Sequence, residues 1–313
     1  MRLWAKLSVM LNPSKMSNLG PYQENTIVCN DCLNVLRNLP DNCVDLVATS
    51  PPYNCRMDYG VSNDQVPWQD WYQLIGDVLT GCHRVLREGG VIALNIPLVV
   101  RWQRDHAFKD TWSDYDPEYL THVGGQRNQE GKGRIEPLGF RVFGKMEQVG
   151  FKMREPIIWV KGSEGNAICS DYRMGCDSDP YMRPAHETIL LGSKGRWFHD
   201  GGTGRRGKEA VPFLEETKDV WFLPPVSIKG HPAIFPVELP SRLIRLFVHR
   251  ANTKDLPKPV IFDPFVGSGT TAIAAARLGH NFFGVDINRE YVALALDRLA
   301  KDREQRAQLE LGC

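Results

Sequence analysis

The chain has 313 residues, 42% of them hydrophobic and 24% charged, and its formal net charge is +1. The hydrophobic content excludes a disordered chain, and the length suits one large α/β domain or two smaller ones. The small net charge excludes a global electrostatic attraction to nucleic acid or to a membrane surface, so a nucleic-acid site would have to be a local basic patch.

The first residues and the cysteines carry little functional signal. The opening apolar stretch is interrupted by Lys6 and is too short to span a membrane, so we interpret residues 1–22 as an N-terminal arm. Eight scattered cysteines are typical of a reducing compartment, and we expect a cytoplasmic protein. Cys29 and Cys32 form a CxxC motif without a second CxxC, which favours a structural role, and no metal site is predicted.

Apolar periodicity predicts alternating strands and helices over the first hundred residues. The strands are expected at 25–29, 45–49 and 91–96, and the helices at 33–39 and 68–86. Gly89 is expected to end the second helix in the left-handed conformation. Residues 97–137 have little periodicity and are interpreted as an inserted surface excursion.

The alternation resumes after this excursion and continues to the C-terminus. Helices are predicted at 138–149, 236–248, 270–279 and 289–305, and strands at 156–162, 187–193, 259–263 and 281–286. The stretches 163–185 and 194–234 are predicted to be irregular. Strands that alternate with helices in this way indicate an α/β fold, with a mostly parallel seven-stranded sheet and helices on both of its faces.

A glycine turn follows the strand predicted at 259–263. Gly267 and Gly269 allow a tight turn and a close approach of the backbone to a ligand. Asp286 ends the next strand, near the ~20-residue spacing of an acid that binds two ribose hydroxyls. No lysine follows the glycines as in a P-loop, and the carboxylate of Asp263 would repel a pyrophosphate but suits an ammonium group. These features indicate S-adenosylmethionine (AdoMet), which has a ribose, an α-amino group and no phosphate.

A second unusual segment, Ser-Pro-Pro-Tyr at 50–53, follows the strand predicted at 45–49. The Ser50 hydroxyl and the Pro51 carbonyl are two acceptors, and proline's fixed φ aims the carbonyl. The ring of Tyr53 offers a stacking surface. At the carboxyl edge of an open sheet, where ligands bind, these groups suit a planar base with an exocyclic amine. An ordinary turn with a packed tyrosine is the structural alternative.

Taken together, these motifs resemble those of the DNA amino-methyltransferases. TSPPYN resembles the catalytic motif of that family and FDPFVGSGTT its AdoMet-binding motif, and their order in the chain resembles the permuted, β-class members. HPAIFPVELPSRLI, residues 231–244, resembles the segment that closes over the methionine moiety. CNDCLNVL resembles the segment whose acid, here Asp31, faces the adenine. The resemblance covers most of residues 23–306.

The resemblance implies a Rossmann-like methyltransferase fold and a set of site residues. Residues 23–193 would form the catalytic half of the domain, 194–234 an inserted target-recognition region, and 235–313 the AdoMet-binding half. The implied catalytic residues are Ser50, Pro51, Pro52 and Tyr53. The implied AdoMet-binding residues are Asp31, Cys32, Phe235, Pro236, Asp263, Pro264, Phe265, Gly267, Ser268, Gly269, Thr270, Asp286 and Ile287.

The first residue of the catalytic motif bears on the target base. Within the family, Ser-Pro-Pro-Tyr is commoner in enzymes that methylate cytosine N4, and Asp-Pro-Pro-Tyr in enzymes that methylate adenine N6. We therefore expect methyl transfer to the N4 amine of a flipped-out cytosine, with adenine N6 as the alternative. The chain lacks a Pro-Cys dipeptide, which argues against methylation at cytosine C5. A non-catalytic DNA-binding module and a methyltransferase acting on RNA or protein are further alternatives.

Positive charge is concentrated in residues 194–208. There we expect DNA contacts from four side chains, either to phosphate or to guanine, with a solvated loop as the alternative: Arg196, Arg205, Arg206 and Lys208. Residues 127–134 are a second basic candidate. Double-stranded DNA is thus the predicted partner. The resemblance also suggests a restriction-modification system with a cognate endonuclease, and a homodimer is common in this class.

Overall fold

The computed structural model describes residues 18–55, 57, 59, 66–102, 134–168, 184–197, 210–248 and 257–311. Its strands are β1 (Asn18–Leu19), β2 (Tyr22–Gln23), β3 (Thr26–Cys29), β4 (Val44–Thr49), β5 (Leu86–Ile96), β6 (Val100–Trp102), β7 (Arg134–Glu136), β8 (Lys152–Met153), β9 (Ile157–Ser163), β10 (Asn166–Ala167), β11 (His186–Ser193), β12 (Val220–Leu223), β13 (Val260–Asp263) and β14 (Asn281–Asp286). Its helices are α1 (Cys32–Asn38), α2 (Trp68–Val85), α3 (Leu138–Val149), α4 (Ala210–Glu216), α5 (Glu238–Phe247), α6 (Thr270–Arg277) and α7 (Arg289–Leu311).

One sheet organises the chain, and the seven strands predicted from the sequence form its continuous path, in the order β9-β11-β5-β4-β13-β14-β3. Strands β5, β4, β13, β14 and β3 are parallel, whereas β11 runs antiparallel between β5 and β9. Within the described residues, β8, β10 and β12 extend this sheet. The predicted α/β class and the mostly parallel sheet are therefore confirmed.

The sheet is covered on both faces, because successive strand residues point in opposite directions. In β4, Val47 belongs to a core cluster with the buried faces of α1, α2 and α3. Its neighbours Leu46 and Ala48 belong to a second cluster with α5, α6 and α7. Leu19, at the end of the predicted N-terminal arm, is buried in the first cluster, so this part of the arm packs on the domain.

The prediction that Gly89 ends helix α2 was wrong. The helix ends at Val85, and Leu86 is already extended and paired with Val44 of β4. Gly89 lies inside β5 with a φ of +77°, and its N–H donates to the carbonyl of Lys194 at 2.7 Å. Pairing of Leu86 with a strand distant in sequence thus stops the helix before the glycine is reached.

The prediction that residues 194–234 are irregular was wrong for the part that contains α4 and β12. Strand β12 pairs in parallel with β9, and the indole of Trp159 donates to the carbonyl of Leu223 at 2.8 Å. Its side chains alternate, with Trp221 buried and Phe222 exposed. The main sheet therefore continues into the region predicted to recognise DNA.

Trp221→Ala should lower the free energy of unfolding by about 3–5 kcal/mol, because it leaves a cavity in the second core cluster. Phe222→Ala is the matched control on the same strand, and its 39% exposure predicts a change of about 0.5 kcal/mol or less. Urea unfolding of the two variants gives both values. Equal effects would contradict the placement of β12 in the core.

Candidate active site

The carboxyl ends of the five parallel strands form one edge of the sheet, and polar residues lie at each end. In sheet order they are Asn95 of β5, Ser50 after β4, Asp263 of β13, Asp286 of β14 and Asp31 after β3. Neighbouring strands are about 4.8 Å apart, so these residues form a row along the edge. Ligands of open α/β sheets bind at this edge.

A buried hydrogen bond links the two predicted motifs. The hydroxyl of Thr49, which precedes Ser50, donates to Asp263 Oδ1 at 2.6 Å. The same carboxylate oxygen accepts from the N–H of Phe265 at 3.1 Å, and Asp263 is only 2% exposed. Thr271 of α6 donates to the carbonyl of Ala48 at 3.2 Å, which adds a second link. The Ser-Pro-Pro-Tyr segment and the glycine turn are therefore held side by side.

The turn after β13 requires glycine at both predicted positions. Gly267 and Gly269 have φ values of +48° and +80°, in the left-handed region. A Cβ at Gly269 would lie 2.8 Å from the Cβ of Ala295 in α7, and a Cβ at Gly267 would lie 2.7 Å from His231 Nε2. The absence of side chains thus lets α7 and the segment around His231 approach the turn.

Arg298 of α7 supports the same turn and was missed by the sequence analysis. Its guanidinium donates to the hydroxyl of Ser268 at 2.8 Å and to that of Thr270 at 3.3 Å. Both hydroxyl residues are 3% exposed. The side chains of Ser268 and Thr270, which we predicted to bind AdoMet, are therefore buried and stabilise the turn through Arg298.

Asp286 lies beside the turn with acceptor capacity left over. Its two oxygens accept from the N–H groups of Gly267 at 2.9 Å and Asn288 at 2.8 Å, and each carboxylate oxygen has a further lone pair. Burial raises the pKa of this carboxyl above its ordinary value. Ile287, next in the chain, is 59% exposed and forms an apolar surface beside it.

Asp31 and Cys32 lie at the start of α1, on the neighbouring strand end. Asp31 caps the helix, and its Oδ1 accepts from Leu33 and Asn34 N–H at 2.9 and 3.0 Å. Burial raises the pKa of the Cys32 thiol to about 12, so the thiol stays protonated. The burial and protonation of Cys32 support the structural interpretation of the CxxC motif. Within the described residues, no group of three or more potential ligands could hold a metal ion.

These residues fit AdoMet. Asp263 is a buried carboxyl whose pKa is raised to about 6, first by loss of solvent and further by Asp286. Its hydrogen bonds come from neutral donors, so a ligand ammonium would stabilise its charged form. Asp286 offers acceptors for a ribose diol. Phe235, half-buried, and Pro236, buried, lead into α5 as a covering segment, and the Pro236 carbonyl accepts from the N–H of Leu239 at 3.0 Å.

An aromatic cluster covers the glycine turn. Tyr59, His231 and Tyr291 contact one another, with the His231 and Tyr291 ring centroids 4.5 Å apart. Asn288 donates to the carbonyl of Tyr59 at 2.7 Å, and a cavity of about 420 Å³ lies among these residues. Burial lowers the pKa of His231 to about 4, so this ring is neutral. Another cavity, of about 500 Å³, lies between α2 and α3, away from the row of polar residues.

The Ser-Pro-Pro-Tyr segment is held by side chains that the sequence did not single out. The indole of Trp71 in α2 donates to the carbonyl of Pro52 at 2.8 Å. The hydroxyls of Ser50 and Tyr53 are 2.7 Å apart. Burial raises the pKa of Tyr53 well above its ordinary value, so it remains a neutral phenol.

Asn95, Lys161 and Glu187 complete the surroundings of Tyr53. Asn95 Nδ2 lies 3.0 Å and Glu187 Oε2 3.1 Å from the Tyr53 hydroxyl, and Lys161 pairs with Glu187 at 2.5 Å. One signal was available in the sequence, since Asn95 is a lone polar residue in an apolar strand. Glu187 opens another such strand. Neither pattern reveals a partner on a different strand.

Of the four residues predicted to contact DNA, Arg196 alone lies within the described part of the chain. Arg196 is exposed just after β11. Arg205, Arg206 and Lys208 lie outside the described residues, as does nearly all of the basic stretch 127–134. The described ends of the predicted excursion, β6 and β7, pair with each other in antiparallel fashion.

A family model for DNA methylases, N6_N4_Mtase, matches residues 44–297. The chain belongs to this family. Among its relatives, the type II methyltransferase M.BglII of Bacillus subtilis is 28% identical, over 94% of this chain and 74% of the relative. M.Cfr9I of Citrobacter freundii is 27% identical, over 94% of each chain. The resemblance to the DNA amino-methyltransferases that was drawn from the motifs is thereby confirmed.

Two solved structures share the fold. TTHA0409 of Thermus thermophilus, provisionally described as a DNA modification methylase, was solved in complex with S-adenosyl-L-methionine. It aligns with a TM-score of 0.56 and 25% identity, over 88% of this chain and 93% of its own. The cytosine-N4-specific PvuII DNA methyltransferase aligns with a TM-score of 0.58 and 18% identity, over 89% and 91%. The second likeness shows the fold alone. No described helix has the length and apolarity needed to cross a membrane.

Asp263 should make the free protein less stable as the pH rises. Its folded pKa of about 6 exceeds the unfolded value of roughly 3.9, so its contribution is fully present below about pH 4 and lost as the pH passes 6. Urea unfolding without AdoMet should therefore show the wild type losing about 2 kcal/mol relative to Asp263→Asn between pH 4 and 7. A constant difference between the two proteins would show that Asp263 ionises as easily when folded.

Proposed function

We propose that this DNA methyltransferase transfers a methyl group from AdoMet to the exocyclic N4 amine of cytosine in double-stranded DNA. The observation that carries the proposal is the Thr49–Asp263 hydrogen bond, which places Ser50 beside the predicted AdoMet site. Serine at the first position of the catalytic motif supports cytosine N4. The finer assignment, cytosine rather than adenine, rests on this residue.

AdoMet is the methyl donor, and when bound it supplies an electrophilic methyl group on a sulfonium. Asp286 would accept from its ribose hydroxyls, and Asp263 would balance its ammonium charge. Asp31, Cys32 and Ile287 would surround the adenine. The remaining contacts would come from the turn and from the covering segment, at Pro264, Phe265, Gly267, Ser268, Gly269 and Thr270, and at Phe235 and Pro236.

The chemistry requires positioning rather than a strong base. The lone pair of a base amine is delocalised into the ring, so the amine is a poor nucleophile. The Ser50 hydroxyl and the Pro51 carbonyl would accept its two N–H bonds and favour a tetrahedral nitrogen with a localised lone pair. The ring of Tyr53 would stack on the flipped base and offset part of the cost of extrusion, which is a few kcal/mol. The nitrogen would form a bond to the methyl carbon as the methyl–sulfur bond breaks, so S-adenosylhomocysteine would be the leaving group. The amine proton becomes acidic once the methyl group is attached and would be lost to water.

Adenine N6 is the second candidate for the target, because the same acceptors suit either amine. A non-catalytic DNA-binding module is disfavoured by the buried Asp263, whose carboxylate lacks a described cationic partner and suits a charged ligand.

DNA recognition is proposed for residues 194–234, through Arg196, Arg205, Arg206 and Lys208. Since β12 belongs to the main sheet, we assign the contacts to the part before it. A cognate endonuclease and a homodimer are further proposals, in keeping with the restriction-modification resemblance.

Asp286→Ala should weaken AdoMet binding by about 1.5–3 kcal/mol, because charged hydrogen bonds to two ribose hydroxyls are lost. Isothermal titration calorimetry measures this loss. Asp297→Ala is the control, since Asp297 is an exposed acid of α7 that pairs with Lys301. If both variants bind AdoMet like the wild type, Asp286 lies outside the site.

The methylated product tests the target base. Purified protein incubated with AdoMet and DNA should yield N4-methylcytosine by mass spectrometry of the digested DNA. Single-molecule sequencing of DNA from expressing cells would give the recognition sequence as well. N6-methyladenine alone would reject the cytosine assignment, whereas 5-methylcytosine would overturn the proposed mechanism.

A further inference from the structure

Two polar side chains outside the catalytic motif contact the hydroxyl of Tyr53, and a third, Lys161, pairs with one of them. Glu187 Oε2 lies 3.1 Å from Tyr53 Oη, and Asn95 Nδ2 lies 3.0 Å from it. Asn95 Nδ2 also donates to Glu187 Oε2 at 2.5 Å, and Lys161 Nζ pairs with Glu187 Oε1 at 2.5 Å. On its other side, Tyr53 Oη is 2.7 Å from Ser50 Oγ. We call these five residues the Glu187 network.

The contacts of this network determine which hydroxyl donates. Tyr53 has a single hydroxyl proton, and the carboxylate of Glu187 can only accept. If Tyr53 donated to Ser50 instead, its oxygen would face a carboxylate oxygen at 3.1 Å with no proton between them. The carbonyl of Asn95 is a second acceptor at 3.3 Å, but the Glu187 carboxylate is charged and closer, so Tyr53 donates to Glu187. The 2.7 Å contact between the two hydroxyls then requires Ser50 to donate to Tyr53.

A fixed donor direction has a chemical consequence at Ser50. Once its proton points to Tyr53, the Ser50 hydroxyl presents only lone pairs to a substrate. An exocyclic amine presents N–H groups, which need acceptors. With the reverse direction, the Ser50 proton would be free to point at the amine and oppose its binding. A Ser50 hydroxyl that can only accept is thus suited to the N–H donors of the amine.

We propose that Glu187 is a positioning residue that orients the Tyr53 and Ser50 hydroxyls so that Ser50 accepts from the target amine. The proposal rests on the proposed function in one respect, namely that the amine contacts Ser50. Glu187 itself acts only through Tyr53.

The sheet holds Glu187 rigidly in this position. Its strand β11 lies between β5, which carries Asn95, and β9, which carries Lys161, and Glu187 is in register with Trp159. The side chains of Glu187 and Lys161 are only 14% and 18% exposed, so little solvent competes for the carboxylate. The raised pKa of Tyr53 agrees with a phenol that keeps its proton.

Glu187→Gln tests this role, because glutamine keeps the shape but cannot accept at both oxygens. Its oxygen should stay with Lys161 and its amide should face Tyr53, which turns the Tyr53 proton toward Ser50, the nearer acceptor at 2.7 Å compared with 3.3 Å for the Asn95 carbonyl. We expect kcat to fall about 100-fold, as when a preorganised group is lost from an active site, with AdoMet affinity unchanged. Glu136→Gln is the matched control, since Glu136 is 10% exposed, pairs with Arg141 at 3.1 Å and accepts from the Tyr72 hydroxyl at 2.6 Å, outside the proposed site. It should methylate DNA like the wild type.

A double-mutant cycle with Tyr53→Phe separates orientation from general structural support. If Glu187 acts through the Tyr53 hydroxyl, Glu187→Gln should change the rate by less than about 2-fold in the Tyr53→Phe background, because coupled residues are not additive. A second loss of about 100-fold in that background, or a wild-type kcat for Glu187→Gln alone, would overturn the proposal. If Glu187→Gln does not fold, the same cycle with Glu187→Met carries the same expectations.

The rates are measured in single turnover, with saturating AdoMet, on whichever base the wild type methylates. An N6-methyladenine product would therefore contradict the proposed cytosine target and leave the test of Glu187 intact. Conversely, additive losses would reject the role of Glu187 and leave the identity of the product unaffected.

Discussion

The hydrogen bond from Thr49 to the buried carboxylate of Asp263 is the interaction on which the site depends. It joins segments far apart in the chain and lies where β4 and β13 pair in parallel. Because Thr49 directly precedes Ser50, the bond fixes the distance between the segment proposed to hold the base and the turn proposed to hold AdoMet. Arg298 of α7 holds the glycine turn, and Phe235 and Pro236 form the covering segment, but the proposed reaction also requires Ser50 to be aligned with that turn.

Asp263, which accepts this bond, and the nearby Asp286 are both carboxyls whose charged forms are unfavourable in the free protein. Burial raises the pKa of both Asp263 and Asp286, and the charge of Asp286 raises the pKa of Asp263 further. Such perturbed carboxyls are typical of sites that gain stability from a ligand. In the proposed site, an ammonium group near Asp263 and a ribose diol near Asp286 would stabilise the charged forms of both carboxyls, so binding and ionisation should be coupled.

Parallel pairing also explains why the order of the motifs in the chain does not alter the site. The strands β4 and β13 are neighbours although they lie far apart in the sequence. Their carboxyl ends meet at one edge whichever is synthesised first. Moving the catalytic motif to the front of the chain therefore leaves the geometry unchanged, provided that the connections lie elsewhere on the surface.

Backbone features that depend only on neighbouring residues could be predicted from the sequence alone. The glycines at 267 and 269 are needed for backbone angles that other residues avoid, the Pro-Pro step has a rigid geometry of its own, and strand 281–286 is a largely apolar run. These features depend on neighbouring residues, and together they predicted the α/β class, the seven strands and the candidate AdoMet site. Each of these features can be recognised from a few consecutive residues.

Tertiary structure decided the features that depend on distant partners. Gly89 is in a strand because Leu86 pairs with Val44, and β12 joins the sheet because it pairs with residues 158–161 of β9, next to the residues that pair with β10. The Glu187 network exists because neighbouring strands place Asn95 and Glu187 at the Tyr53 hydroxyl, and Lys161 beside Glu187. A single polar residue in an apolar strand indicates that it has a polar partner, but the sequence does not identify that partner. The partner depends on strand order and register, which are determined only when the whole sheet is assembled.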